Sequence, residues 1–222
     1  MAIAIDATSN GTGATATSIT WSHTCTGDDR ILIVACGIPD SDTITGVTYN
    51  SVALTLIDKI QVDFTGVPDR YIYLWYLIAP ATGANDIVVS SSASQILKGA
   101  AASYTGVKQT GQPDSSAKNK GASTNTFTAT TTTVANNSWL VMVGKFQDTT
   151  ISAGTDTTLR RNWNAPGDGA LFDSNATKSP GSNSLIANLS TNAEWGYVIA
   201  SISPVAVATT NVNSRSLLGV GR

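Results

Sequence analysis

Residues Tyr71–Ala79 read YIYLWYLIA, an unbroken run of apolar and aromatic side chains closed by Pro80-Ala81-Thr82-Gly83. Its β-branched and aromatic content and the Pro/Gly stop predict one long strand. The run is too short to span a bilayer as a helix. Side chains alternate along a strand, so Tyr71, Tyr73, Trp75 and Leu77 share one face, and Ile72, Leu74, Tyr76 and Ile78 share the other. Neither face is polar. Such a strand has to lie in the middle of a sheet that is covered on both sides.

The remaining chain reads as further strands. Thr17–Cys25 alternates, Gly27-Asp28-Asp29 is expected to turn it into a hairpin, and Ile31–Ile38 is apolar throughout. Ile44–Tyr49, Val52–Ile57 and Ile60–Phe64 follow, separated at Asn50-Ser51 and Asp58-Lys59, and then Ile87–Val89 and Gln95–Tyr104. Val107–Thr124, rich in Gly, Ser, Lys and Asn, is expected to be a crossing loop. Phe127–Val134, a turn at Asn136-Asn137 and Trp139–Phe146 echo the earlier order of polar strand, turn and apolar strand. Thr157–Trp163, Ala170–Asp173, Ser184–Leu189 and Trp195–Ser203 complete the set. No stretch joins helical apolar spacing to capping residues.

About a dozen short strands predict an all-β fold, an antiparallel, jelly-roll-like β-sandwich. Residues 1–16 are expected to form an N-terminal arm or leading strand. Residues 17–204 form the sandwich as a single double-sheet body, and 205–222 a flexible C-terminal tail. At 222 residues the chain is long enough for a substantial core.

Composition narrows the function. Only 13% of residues are charged, against about a quarter in ordinary domains, and Thr, Ser, Gly, Asn and Ala fill the gap. A net charge of −2 with no basic tract argues against nucleic-acid binding through phosphates. The N-terminus carries neither a positive start nor a long apolar segment, so no secretory route and no membrane anchoring are expected, and a cytoplasmic site of assembly follows. Cys25 and Cys36 would sit several residues apart along the expected hairpin. They are therefore read as free thiols.

Candidate chemistry is sparse. His23 is the only histidine and Glu194 the only glutamate. A glycosidase needs two converging carboxylates, and six of the fourteen aspartates (Asp28, Asp29, Asp40, Asp42, Asp114, Asp168) fall in turn phrases where backbone hydrogen bonding explains them. Asp40-Ser41-Asp42 and Asp28-Asp29 offer oxygens to calcium but lack a spaced ligand loop. No catalytic residue, cofactor or metal is expected. Trp163, Trp195 and Tyr104 are the aromatics placed to stack on a sugar ring, with core packing as the competing reading of each.

The phrases Tyr49-Asn50-Ser51-Val52-Ala53-Leu54-Thr55, Trp75-Tyr76-Leu77-Ile78-Ala79-Pro80-Ala81-Thr82-Gly83 and Ser103-Tyr104-Thr105-Gly106-Val107 stand in an order that, over most of residues 17–204, resembles a β-sandwich domain of tailed-phage structural proteins and bacterial surface proteins. The resemblance implies a scaffold without catalytic residues. It points to a virion structural protein, a decoration protein on the capsid exterior. The expected partners are the major capsid protein and its own copies, as a homotrimer. The alternative is a glycan-binding or host-adhesion module.

Overall fold

The computed structural model describes residues 1–11, 13, 15–39, 41–147, 150–163 and 169–206. Strands β1 (Ala4–Gly11), β2 (Thr15–Cys25), β3 (Ile31–Pro39), β4 (Ile44–Tyr49), β5 (Val52–Ala53), β6 (Thr55–Val62), β7 (Arg70–Ile78), β8 (Gly83–Ile96) and β9 (Lys98–Thr105) build two antiparallel sheets. Their orders are β1-β9-β3-β7-β6 and β2-β8-β4-β5. From β1 to β9 the chain crosses repeatedly between these sheets, the wrapping of a jelly roll. Residues 107–206 then supply β10 (Ser115–Thr133), β11 (Trp139–Phe146), β12 (Ile151–Ala153), β13 (Thr158–Asn162), β14 (Ala170–Asp173) and β15 (Gly181–Ile202). They form a third sheet, ordered β10-β15-β11-β14-β13, with β12 also paired to β15.

The first sheet is the middle layer. Every residue of Ile31–Ile38 is buried, because β3 is flanked by β9 and β7 in its own sheet and faces a different sheet on each side. Ile31, Ile33 and Ala35 enter one core with Ile72 and Leu74 of β7, opposite Trp139, Val141, Val143, Val198 and Ala200 of the third sheet. Leu32, Val34, Cys36 and Ile38 enter a second core with Tyr73 and Trp75, opposite Trp21, Val47, Tyr49, Ile87 and Val89 of the second sheet. The two faces read from the β7 sequence are therefore the two faces observed.

A third core lies on the far side of the third sheet. There Leu140, Met142, Phe172 and Ile199 are covered by Phe127, Ala129, Leu185 and Ala187 from the distal half of the β10–β15 ribbon. Register breaks between Gly121 and Thr126 let that half leave the plane and turn over the sheet. The body is thus three sheets with a folded ribbon on top, where the sequence pattern suggested two sheets.

Other expectations need correction. Gly27-Asp28-Asp29 does not close a β2–β3 hairpin. β2 pairs with β8 while β3 pairs with β7 and β9, so the two strands lie in facing sheets. Cys25 and Cys36 are free and buried, but not for the reason given by a shared ladder. Val107–Thr124 is not all loop, because Ser115–Gly121 pairs residue by residue with Trp195–Ser201. An edge strand held by its backbone needs few apolar side chains, and a polar sequence hides it. The two expected strands Ser184–Leu189 and Trp195–Ser203 are one strand, β15. Asp58-Lys59 is no turn either but sits in β6 beside a register shift. The echo of a second hairpin also dissolves, since both β10 and β11 pair with β15. At the termini, β1 pairs with β9 and Val205 bonds Gly106, whereas 207–222 of the expected tail lie outside the described residues.

Truncating the middle layer tests this packing. Ile33→Ala is expected to cost about 3 kcal/mol of unfolding free energy in a denaturant titration. Thr128→Ala, on the exposed side of the ribbon, is expected to change it by less than about 0.5 kcal/mol.

Candidate functional site

Tyr104 and Trp163 are core residues. Tyr104 is fully buried on β9 and packs edge-on against Trp139, with ring centroids 5.9 Å apart. Its hydroxyl donates to Asp173 Oδ2 at 2.9 Å, and the same oxygen accepts Arg160 Nε at 2.6 Å. Asp173 Oδ1 accepts the Asn175 backbone N–H at 3.0 Å, and Arg160 reaches Asn175 Oδ1 at 2.6 Å. Burial pushes Tyr104 well above the ordinary phenol range, and the adjacent Asp173 carboxylate adds to the effect. Burial also raises Asp173, against the opposing pull of Arg160. These groups join β9 of the middle sheet to β13 and β14 of the third. Their chemistry is spent on cohesion.

Trp163 is 3% exposed, in the core between the middle and third sheets, and lies directly against Gly169. At its rim stand Arg70, Lys98 and Lys145, each already engaged in polar or ring contacts. Neither Tyr104 nor Trp163 can offer a ring face to a sugar. The structure brings none of the three expected aromatics together.

Trp195 differs. It is half-buried on β15, directly opposite Gly121 of β10, and the missing side chain of that glycine leaves room for the indole. Phe127 stacks on it with centroids 5.1 Å apart and planes 11° from parallel, and Tyr197 lies parallel at 5.9 Å. Its indole N–H is buried without a hydrogen-bond partner, so the part of the ring left exposed is carbon. A cleft of about 300 Å³ opens beside it, lined by Val62, Asp63, Lys120, Gly121, Ala122 and Glu194. Asp63 and Lys120 are ion-paired at 2.5 Å. Glu194 is held by Thr65, which donates its backbone N–H to Oε2 at 2.6 Å and its hydroxyl to Oε1 at 2.5 Å. The sequence singled out Trp195 and Glu194. It gave no sign of Asp63 and Lys120, which arrive from strands distant in the chain.

His23 is 2% exposed at the core between the middle and second sheets. Ser9 Oγ lies 2.8 Å from its Nδ1 and accepts the Trp21 indole N–H at 3.0 Å, while Nε2 has no partner. Burial lowers its pKa to about 4, with Asp6 pulling weakly the other way. At Asp6, burial acts to raise the pKa, but hydrogen bonds from Thr26 and Ser103 outweigh it and hold the carboxyl low. Of the calcium candidates, Asp42 is occupied by Lys59 and by the Tyr73 hydroxyl at 2.6 Å. Asp28 and Asp29 accept backbone N–H groups of Gly106 and Val107 through their carbonyls, as turn residues do, and Asp40 lies outside the described residues. Among the described residues no three His, Cys, Asp or Glu side chains converge as a metal site would require. Among them, too, no helix is long and apolar enough to cross a membrane.

Compared with protein-family models, curated proteins and solved structures, the chain matches none.

Two outcomes follow. Because the unfolded chain binds a proton near pH 6.5 and the folded chain only near 4, His23 draws stability down as pH falls through that window. The expected loss is about 3 kcal/mol between pH 7 and 4. Denaturant titrations should show it, and His23→Gln should flatten it. Arg160→Met leaves the Asp173 carboxylate buried without its cation and is expected to cost about 3–5 kcal/mol, read by the same titration.

Proposed function

We propose that this protein is a non-enzymatic structural component of a tailed-phage virion, a decoration protein on the capsid exterior. In this reading it assembles in the host cytoplasm and works as a homotrimer. Its partners are the major capsid protein and its own copies.

One observation supports this reading most. The sequence phrases that resemble phage and surface β-sandwich domains occupy corners that hold the jelly roll closed. Tyr49 Oη lies 3.1–3.2 Å from the carbonyls of His23, Ala81 and Gly83, one of which takes its single proton, tying the β4–β5 corner to the turn after β7. Arg30 Nε bonds the Pro80 carbonyl at 2.9 Å, and Gly106 N–H bonds Asp28 O at 3.3 Å. Asn50 and Ser51 both take positive φ, the conformation a tight two-residue hairpin demands. The resemblance thus falls on scaffold-defining residues rather than on a site.

The physical character fits. Three stacked sheets bonded across their interiors make a stiff body suited to a particle under internal pressure. Low-charge Ser/Thr faces pack against neighbours without desolvating many ions.

Quantitative mass spectrometry of purified particles tests the proposal. The expected result is a copy number in fixed stoichiometry with the shell protein, and a particle-released species of three times the chain mass. Absence from particles would overturn the reading. A few copies per particle would move it from shell to tail.

A further inference from the structure

The distal half of β10 leaves a row of backbone groups open at the edge of the folded ribbon. We propose that this edge binds a second copy of the chain, β10 against β10, antiparallel about a two-fold axis at Thr130. The pairing joins β15 and β10 of both molecules into one continuous sheet. It goes beyond the virion reading and adds a contact distinct from the three-fold one in that reading.

Backbone directions carry the argument. Ile186 N–H donates to Thr157 Oγ1 at 2.8 Å, and the Ile186 carbonyl accepts Gly154 N–H at 2.8 Å. Both groups therefore point away from β10. Opposite residues of an antiparallel pair exchange both bonds or neither, so Thr128, which faces Ile186, turns its own N–H and C=O away from β15. Thr126 has the same phase: its carbonyl accepts the Thr124 hydroxyl, and its N–H donates to Thr124 Oγ1 at 2.9 Å. Alternation then directs the N–H and C=O of Thr128, Thr130 and Thr132 outward along one edge. Among the described residues none bonds these groups. Thr128 and Thr132 are exposed and Thr130 is half-buried, so the strip is accessible.

Neighbouring edges carry charges that block such pairing. β6 has Asp58 and Lys59, β13 has Arg160 and Arg161, and the proximal half of β10 has Lys118 and Lys120. Between Gly121 and Gly144 the chain has neither a charged residue nor a proline, and Gly181–Ala193 of β15 has no charge either. A neutral strand does not repel its own copy, and β-branched threonines suit cross-strand pairs. With the axis at Thr130, Thr128 meets Thr132 of the second copy and Thr130 meets its own equivalent. Every open N–H and C=O of the strip then finds a partner. Thr124 closes the strip at one end. At the other end Val134, 65% exposed, comes level with Thr126 of the second copy and is covered there. So short a contact buries less than the ~1,200 Å² of a standard interface, and a dissociation constant on the order of 0.1 mM is expected. That suffices for copies held side by side on a surface.

Sedimentation equilibrium on the full chain, up to about 1 mM, tests this. A reversible doubling of mass is expected, whatever the mass of the starting species. Thr130→Pro removes an outward N–H and no bond of the β10–β15 ladder, so it should abolish the doubling with the fold kept, as read by circular dichroism. Thr130→Lys and Thr130→Glu each set like charges against one another on the axis, and each alone should abolish it. An equimolar mixture of the two should restore it. No doubling of the unaltered chain, undiminished doubling in any folded single variant, or a mixture that stays undoubled would each overturn the proposal. A trimer that does not double would overturn it and leave the virion reading intact.

Discussion

The middle sheet, with β3 and β7 at its heart, exposes no polar face, and the remaining layers exist in relation to that fact. Burying an Ile, Leu or Val side chain contributes about 1.5–3 kcal/mol, so leaving either face of β3 in water would forfeit much of the core. The second sheet covers Leu32, Val34 and Cys36, and the third covers Ile31, Ile33 and Ala35. The third sheet then has an apolar outer face of its own. The β10–β15 ribbon folds over to cover it, and its outer side, like that of the second sheet, presents Thr, Ser and Asn to water. Each layer creates the need for the next.

Buried polar groups fix how these layers sit on one another. Apolar packing tolerates sliding, but the Tyr104–Asp173–Arg160 network has satisfied geometry in one register only. On the opposite face of the middle sheet, Ser9 and Asp6 of β1 hold Trp21, His23 and Thr26 of the second. Glycines serve the same fit from the other direction. Gly11 and Gly99 both lie against Trp21, and Gly121 against Trp195, so bulky indoles are seated where a neighbour has no side chain. A Cβ at Gly99 would stand 2.8 Å from the Trp21 ring, closer than any carbon pair can come.

What was legible in the chain followed from local pattern. The two apolar faces of Tyr71–Ile78, the Asn50-Ser51 turn and the all-β class need nothing beyond alternation and turn chemistry. Three things were not legible, each for a physical reason. Ser115–Gly121 is a strand because its backbone finds β15, and its side chains carry no trace of that pairing. The partner of β2 lies some sixty residues away in β8, and no local signal distinguishes a turn that closes a hairpin from one that carries the chain to a facing sheet. The Trp195 cleft needed two rim residues, Asp63 and Lys120, that only the meeting of β6 with the ribbon brings together. Burial decided the other two aromatics: Tyr104 and Trp163 have the same composition signature as Trp195 but sit between sheets.

In the proposed virion role, this layered cohesion rather than a reactive group carries the function. A body whose interior polar atoms bond one another across sheets is suited to bearing load, the property that the proposed virion role asks for. The most direct test of the central claim is hydrogen exchange by mass spectrometry under native conditions. If the middle sheet depends on cover from both sides, amides of Ile31–Ile38, Ile72–Trp75, Val141–Val143 and Val198–Ile202 should exchange together, at the rate of global unfolding. Fast exchange of the third-sheet segments while β3 and β7 stay protected would contradict it, because the jelly roll would then hold its exposed apolar face without help.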